Sequence, residues 1–122
     1  MITILEMPAF IEDADRLFTL QERDDLKTIL AVNPEVGDLI PATGGVRKLR
    51  VPLETRGKGK SGGARVIYYY YNSNYPLAII AVYAKGEKID VTMAEKRELR
   101  ILTREYVVAF GKKVVSGRVS IK

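Results

Sequence analysis

Neither cysteine nor histidine occurs in the 122 residues. Without cysteine there are no disulfides, no thiolate chemistry and no thiolate-bound structural zinc, which says nothing against a reducing cytosol. Without imidazole, proton transfer falls to Lys, Arg, Tyr, Glu or Asp, and most transition-metal sites are disfavoured; neither a metal nor a cofactor is expected. The chain also lacks any run of 18 apolar residues, and its start, MITILEMPAFIEDAD, lacks the basic and long apolar segments of a signal peptide. A cytoplasmic location is the expectation.

What is present fits one domain, with 47% hydrophobic and 29% charged residues. The net charge of +5 conceals a division: residues 1–38 carry nine acids and three bases, and residues 39–122 carry six acids and seventeen bases. Such a split suits one surface facing a polyanion, and equally an acidic helix pair that happens to come first.

Hydrophobic spacing gives the element order. Ile2–Glu6 reads as a strand, and Pro8 opens a helix with an apolar face of Phe10, Ala14, Leu17 and Phe18. Thr19 and Glu22 form a capping box that starts a second helix, facing inward through Leu26, Ile29 and Leu30 and ending at Asn33-Pro34. In the strand VRKLRV, Arg47, Leu49 and Val51 share one face, while Lys48 and Arg50 share the other. Ala64–Asn72 and Leu77–Ala84 make a hairpin, and a second capping box at Thr92 and Glu95 starts a third helix, with Gly111 as its expected C-cap. The expected fold is α+β in the order β-α-α-β-β-β-α, an antiparallel-rich twisted sheet with two N-terminal helices and one C-terminal helix. Residues 1–110 form the expected domain, and 111–122 a basic tail for which disorder or a late edge strand is expected.

The tripeptide Gly59-Lys60-Ser61 suggests a phosphate-binding P-loop, but the glycine required five positions earlier is Glu54, and a strand follows instead of a helix. The charge around it is more informative. Arg47, Lys48, Arg50, Arg56, Lys58, Lys60 and Arg65 stand against the single acid Glu54, and Gly57, Gly59, Gly62 and Gly63 permit close backbone approach to a ligand. Cations on both flanking strands as well as in the loop favour polyanion binding over a plain solvated loop. On the strand that follows, Arg65, Ile67, Tyr69 and Tyr71 share one face and Val66, Tyr68 and Tyr70 the other. If Arg65 points at ligand, Tyr69 is the candidate to stack on a base, while Val66 and Tyr68 pack under the helices. RNA supplies its own 2′-OH nucleophile, so such a cluster can also cleave it through charge stabilisation and lysine-mediated proton transfer.

The stretches NPEVGDLIPATGGVRKLR, GKGKSGGARVIYY and VYAKGEKIDVT occupy most of residues 33–92. Together they resemble the bacterial RelE/HigB toxins of type II toxin–antitoxin systems, in the HigB branch. The resemblance implies a metal-independent endoribonuclease that cuts mRNA in the ribosomal A site, leaves a 2′,3′-cyclic phosphate, and contacts 16S rRNA through its basic patch. It also implies neutralisation by a HigA-like helix-turn-helix antitoxin. The family's working positions fall on Lys48, Arg50 and Arg65: Lys48 stabilises charge or transfers a proton, Arg65 clamps the scissile phosphate, and Arg50, in place of a lysine, stabilises charge but cannot act as base. Arg47, Lys58, Lys60, Tyr69, Lys85 and Lys88 are the expected RNA-binding residues. Where RelE carries a further arginine and a tyrosine, this chain has Gly86 and Thr92, which leaves the acid and base unassigned. Two rival readings remain: a noncatalytic RNA- or ribosome-binding module, and a ParE-like inhibitor of DNA gyrase.

Overall fold

The computed structural model describes residues 2–54 and 63–116. Strand β1 (Ile4–Glu6) leads into α1 (Pro8–Leu17) and α2 (Leu20–Val32), followed by β2 (Asp38–Leu39), β3 (Val46–Val51), β4 (Ala64–Tyr69), β5 (Leu77–Ala84), a 3-10 turn (Lys85–Glu87) and α3 (Met93–Ser116). The fold is thus α+β, with three helices and one five-stranded sheet in the order β1-β5-β4-β3-β2. The sheet is mixed: β1 runs parallel to β5, and the other three pairings are antiparallel.

Local chemistry sets the helix starts. Pro8, whose fixed φ suits a first turn and whose missing N–H needs no partner there, begins α1. At Thr19 the side chain accepts from Glu22 N (3.0 Å) while Glu22 Oε1 accepts from Thr19 N (2.9 Å), the reciprocal pair that separates α2 from α1. The same exchange between Thr92 and Glu95 precedes α3.

Each face of the sheet has its own core. On one face, Phe10, Ala14 and Leu17 of α1 and Leu26 and Leu30 of α2 meet Val66, Tyr68, Ile79 and Val82. Tyr68 is fully buried there; its hydroxyl accepts from Gly37 N (2.8 Å) and donates to the Pro34 carbonyl (2.9 Å). On the other face, Ile67, Tyr69, Ala78 and Ile80 meet Tyr106, with Leu99, Leu102 and Phe110 packed alongside.

Several expectations need correction. β4 ends at Tyr69 and not at Asn72, the short edge strand β2 lies in what reads as loop, and Ile29 on α2 stays 43% exposed, leaving Leu26 and Leu30 as the inward pair. Helix α3 runs through Gly111 to Ser116, so the expected tail is partly helical, and residues 117–122 lie outside the described residues. Gly111 has a packing role: a Cβ there would sit 3.1 Å from the Tyr75 hydroxyl, so the absent side chain lets α3 pass Tyr75.

Candidate nucleic-acid interface

The register of the three central strands decides which cations meet. Arg50 of β3 lies directly opposite Arg65 of β4, and Arg65 lies opposite Tyr83 of β5. One rung inward, Lys48 faces Ile67, and Ile67 faces Ala81. Both rungs lie on the α3 face. Between Ile67 and Tyr68 the pairing with β5 shifts, because Ile80 is an extra residue on β5. This bulge reverses the alternation of β5 and so brings Tyr83 onto the same face as Arg65.

Arg65 also marks where chain geometry changes. The nearby Gly63 has φ +90, and a Cβ there would lie 2.8 Å from the Val51 carbonyl, so glycine alone fits this position at the entry to β4. Its carbonyl accepts from Lys85 N at 3.1 Å, fastening the loop exit to the end of β5. Arg65 is half-buried, and its only hydrogen bond among the described residues is a long one, 3.4 Å, to the neighbouring Ala64 carbonyl. Arg50 is exposed. Neither has an ion-pair partner among the described residues, although like charges directly opposite each other on a sheet are unfavourable.

Nearby lysines are paired. Lys48 Nζ is 3.1 Å from Asp90 Oδ1, which also accepts from Val91 N at 2.7 Å. That backbone bond, and then Lys48, hold the Asp90 carboxyl below the usual carboxylate range. Lys88 pairs with the Glu95 carboxylate, and its ammonium lies 5.9 Å from the centre of the Tyr83 ring. Lys88, and then the Thr92 amide, hold Glu95 low as well. Lys85 is exposed at the start of the 3-10 turn. Glu87 of that turn accepts from Arg16 of α1 and from Ala84 N, tying the segment down.

Two expected RNA contacts do not join this rung. Arg47 points to the opposite face, 17% exposed, and donates to the carbonyls of Gly37 (2.7 Å) and Glu35 (3.1 Å); it is spent on holding the loop before β2. Tyr69 is 5% exposed, with its ring edge-on to Tyr106 at 5.7 Å between centroids, so no face is open for a base. Lys58 and Lys60 lie outside the described residues.

A cleft of about 390 Å³ adjoins the rung, walled by Ile67, Ile80 and Ala81 of the sheet and by Val91, Leu99 and Leu102. Tyr83 lines it too, and its hydroxyl is buried with no hydrogen-bond partner among the described residues. Burial pushes the phenol up from its ordinary pKa. The carboxylates of this neighbourhood, Asp90 and Glu95, escaped the sequence reading: Glu95 was legible only as a helix cap. The usable signal is the interleaving of acids and cations in KGEKIDVT, which marks lysines held in place by local partners.

Chemically, a guanidinium group can donate two parallel N–H bonds to the oxygens of a phosphate, and the register puts two such residues on neighbouring strands. An anion there would also relieve their mutual repulsion. Among the described residues no group of three or more carboxylates comes together to hold a metal ion, and no helix is long and apolar enough to cross a membrane. No protein-family model matches the chain.

Proposed function

We propose that this protein is the toxin of a type II toxin–antitoxin module, a RelE/HigB-type endoribonuclease acting on mRNA in the ribosome. The observation that carries the proposal is the Arg50–Arg65 pair, two adjacent cations held opposite each other without acid partners among the described residues. A chain gains no stability from such a pair; it gains a receptor for phosphate.

In the proposed reaction the RNA 2′-oxygen attacks the adjacent phosphorus in line, and the 5′-oxygen of the next nucleotide leaves. Arg50 and Arg65 hold the non-bridging oxygens and stabilise the charge that builds on them. The 2′-OH proton is lost, the departing 5′-oxygen gains one, and the products are a 2′,3′-cyclic phosphate and a 5′-OH end. Lys48, held at Asp90, is the neighbouring group able to move protons. No step requires a metal ion. A HigA-like antitoxin is the proposed partner, and the cytoplasm the proposed compartment.

Primer extension on translated mRNA tests this reading. Wild-type protein should generate new 5′-OH ends within codons, and Arg65→Ala should reduce them at least about 100-fold, the scale of one lost oxyanion donor, with its unfolding midpoint undiminished. Ribosome stalls without new ends would replace the enzyme with an RNA-binding module. Inhibition of DNA gyrase with intact mRNA would move the protein to the ParE-like branch.

A further inference from the structure

The cleft beside the cation rung has a composition that phosphate binding does not use. Its walls are apolar and its polar lining is sparse: the Lys88–Glu95 pair, Tyr83 and Glu98. The Tyr83 hydroxyl is buried with no hydrogen-bond partner among the described residues, a condition that native proteins rarely tolerate without a use. Glu98 is exposed and has no hydrogen-bond or ion-pair partner among the described residues. A carboxylate near a phosphate-binding rung repels the backbone of a nucleic acid. It can, however, accept hydrogen bonds from a base.

A single unstacked base is read on its Watson–Crick edge. Guanine presents there an acceptor, O6, followed by two neighbouring donors, N1–H and N2–H. Adenine, cytosine and uracil each lack two adjacent donors. The complement of guanine's edge is one hydroxyl donor beside one carboxylate that accepts twice, and Tyr83 and Glu98 supply that pair in one cleft. Aliphatic walls suit the faces of a planar ring, and a volume of about 390 Å³ is within the range of small-ligand sites.

We infer that the cleft between β5 and the N-terminal half of α3 is a base pocket that prefers guanine, with Glu98 receiving N1–H and N2–H and the Tyr83 hydroxyl donating to O6. The inference rests on the reading of the rung as an RNA site. It adds a specificity-determining residue, Glu98, on a helix that carries none of the proposed phosphate contacts.

Titration of the full chain with each of the four nucleoside 3′-monophosphates, followed by backbone amide NMR, tests the pocket without requiring cleavage. Guanosine 3′-monophosphate should move the amides of Ala81, Tyr83, Val91 and Leu99 and bind at least about tenfold more tightly than the other three, the scale of one bidentate base contact. In Glu98→Gln, which keeps size but replaces one of the two acceptor oxygens with an NH₂ donor, that preference should fall to within about threefold, while shifts at Arg50 and Arg65 persist. Tyr83→Phe, which loses only the hydroxyl, should weaken guanosine binding and leave the other nucleotides unaffected. Equal binding of all four nucleotides, shifts confined to the rung, or an unchanged preference in Glu98→Gln would each overturn the pocket. A Glu98-dependent guanine preference in a protein that leaves mRNA intact would sink the endoribonuclease and keep the pocket; codon cleavage indifferent to Glu98 would do the reverse.

Discussion

The two faces of the sheet treat their polar groups in opposite ways. Under α1 and α2 almost every such group is matched: Tyr68 both accepts and donates through its hydroxyl, Arg47 caps two carbonyls, and Arg23 pairs with Glu6 and Asp15. Under α3, two arginines face each other without acid partners among the described residues, and a phenol is buried with no hydrogen-bond partner among them. The same three central strands supply both faces, so the contrast does not come from different strands. The first face is built for stability and the second keeps unfavourable arrangements that a ligand would relieve.

Changes on the two faces should therefore move stability and activity separately. The largest effect expected is on stability: Leu30→Ala, at a fully buried position under α2, should cost about 2–5 kcal/mol by lost burial and cavity formation. Denaturant unfolding would measure it, and the proposed mRNA cleavage, per folded molecule, should not change. Arg50→Glu should do the opposite. An acid opposite Arg65 replaces repulsion with attraction and should raise stability by up to about 1 kcal/mol, while cleavage falls at least about 100-fold through loss of a phosphate donor. Loss of stability in Arg50→Glu would mean that the like-charge rung is already satisfied in the free protein, and the contrast between the faces would fail.

Much of this architecture is legible in the residues. Both capping boxes, the start of α1 at Pro8, and the span Leu77–Ala84 follow from side-chain chemistry within a few positions. The placement of Lys48 and Arg50 opposite Arg47 across β3 follows from alternation alone. What was not legible depends on distant partners. The parallel pairing of β1 with β5 leaves no local trace, and the extra residue Ile80 is hidden in a uniformly apolar run, though it decides that Tyr83 faces Arg65. Tyr69 is the converse case: alternation assigns it correctly to the face of Arg65, but α3 covers that end of the sheet, and Tyr106 takes the place a base would need. Gly111 shows the same limit, since a helix-ending glycine and a close-packing one look alike until Tyr75 is in position.

The smallest expected effect sharpens the comparison at its weakest interaction. Asp90 is held below its ordinary pKa by the Val91 amide first and Lys48 second. A depressed native pKa means the unfolded chain takes up a proton at higher pH than the folded one, so this stabilisation is fully present above about pH 4 and is lost as the pH falls through the native value. Asp90→Asn removes that dependence, so the variant should be slightly less stable than wild type at pH 7, and the gap should close on acidification. Because the carboxylate is 58% exposed, solvent screening keeps the difference below about 1 kcal/mol. Urea midpoints at pH 7, 4 and 2.5 would resolve it. A gap that persisted at the lowest pH would show that the Asp90 side chain acts through shape at the turn before α3 and not through its charge, and Lys48 would then stand beside Arg50 and Arg65 as a third cation without an electrostatic partner.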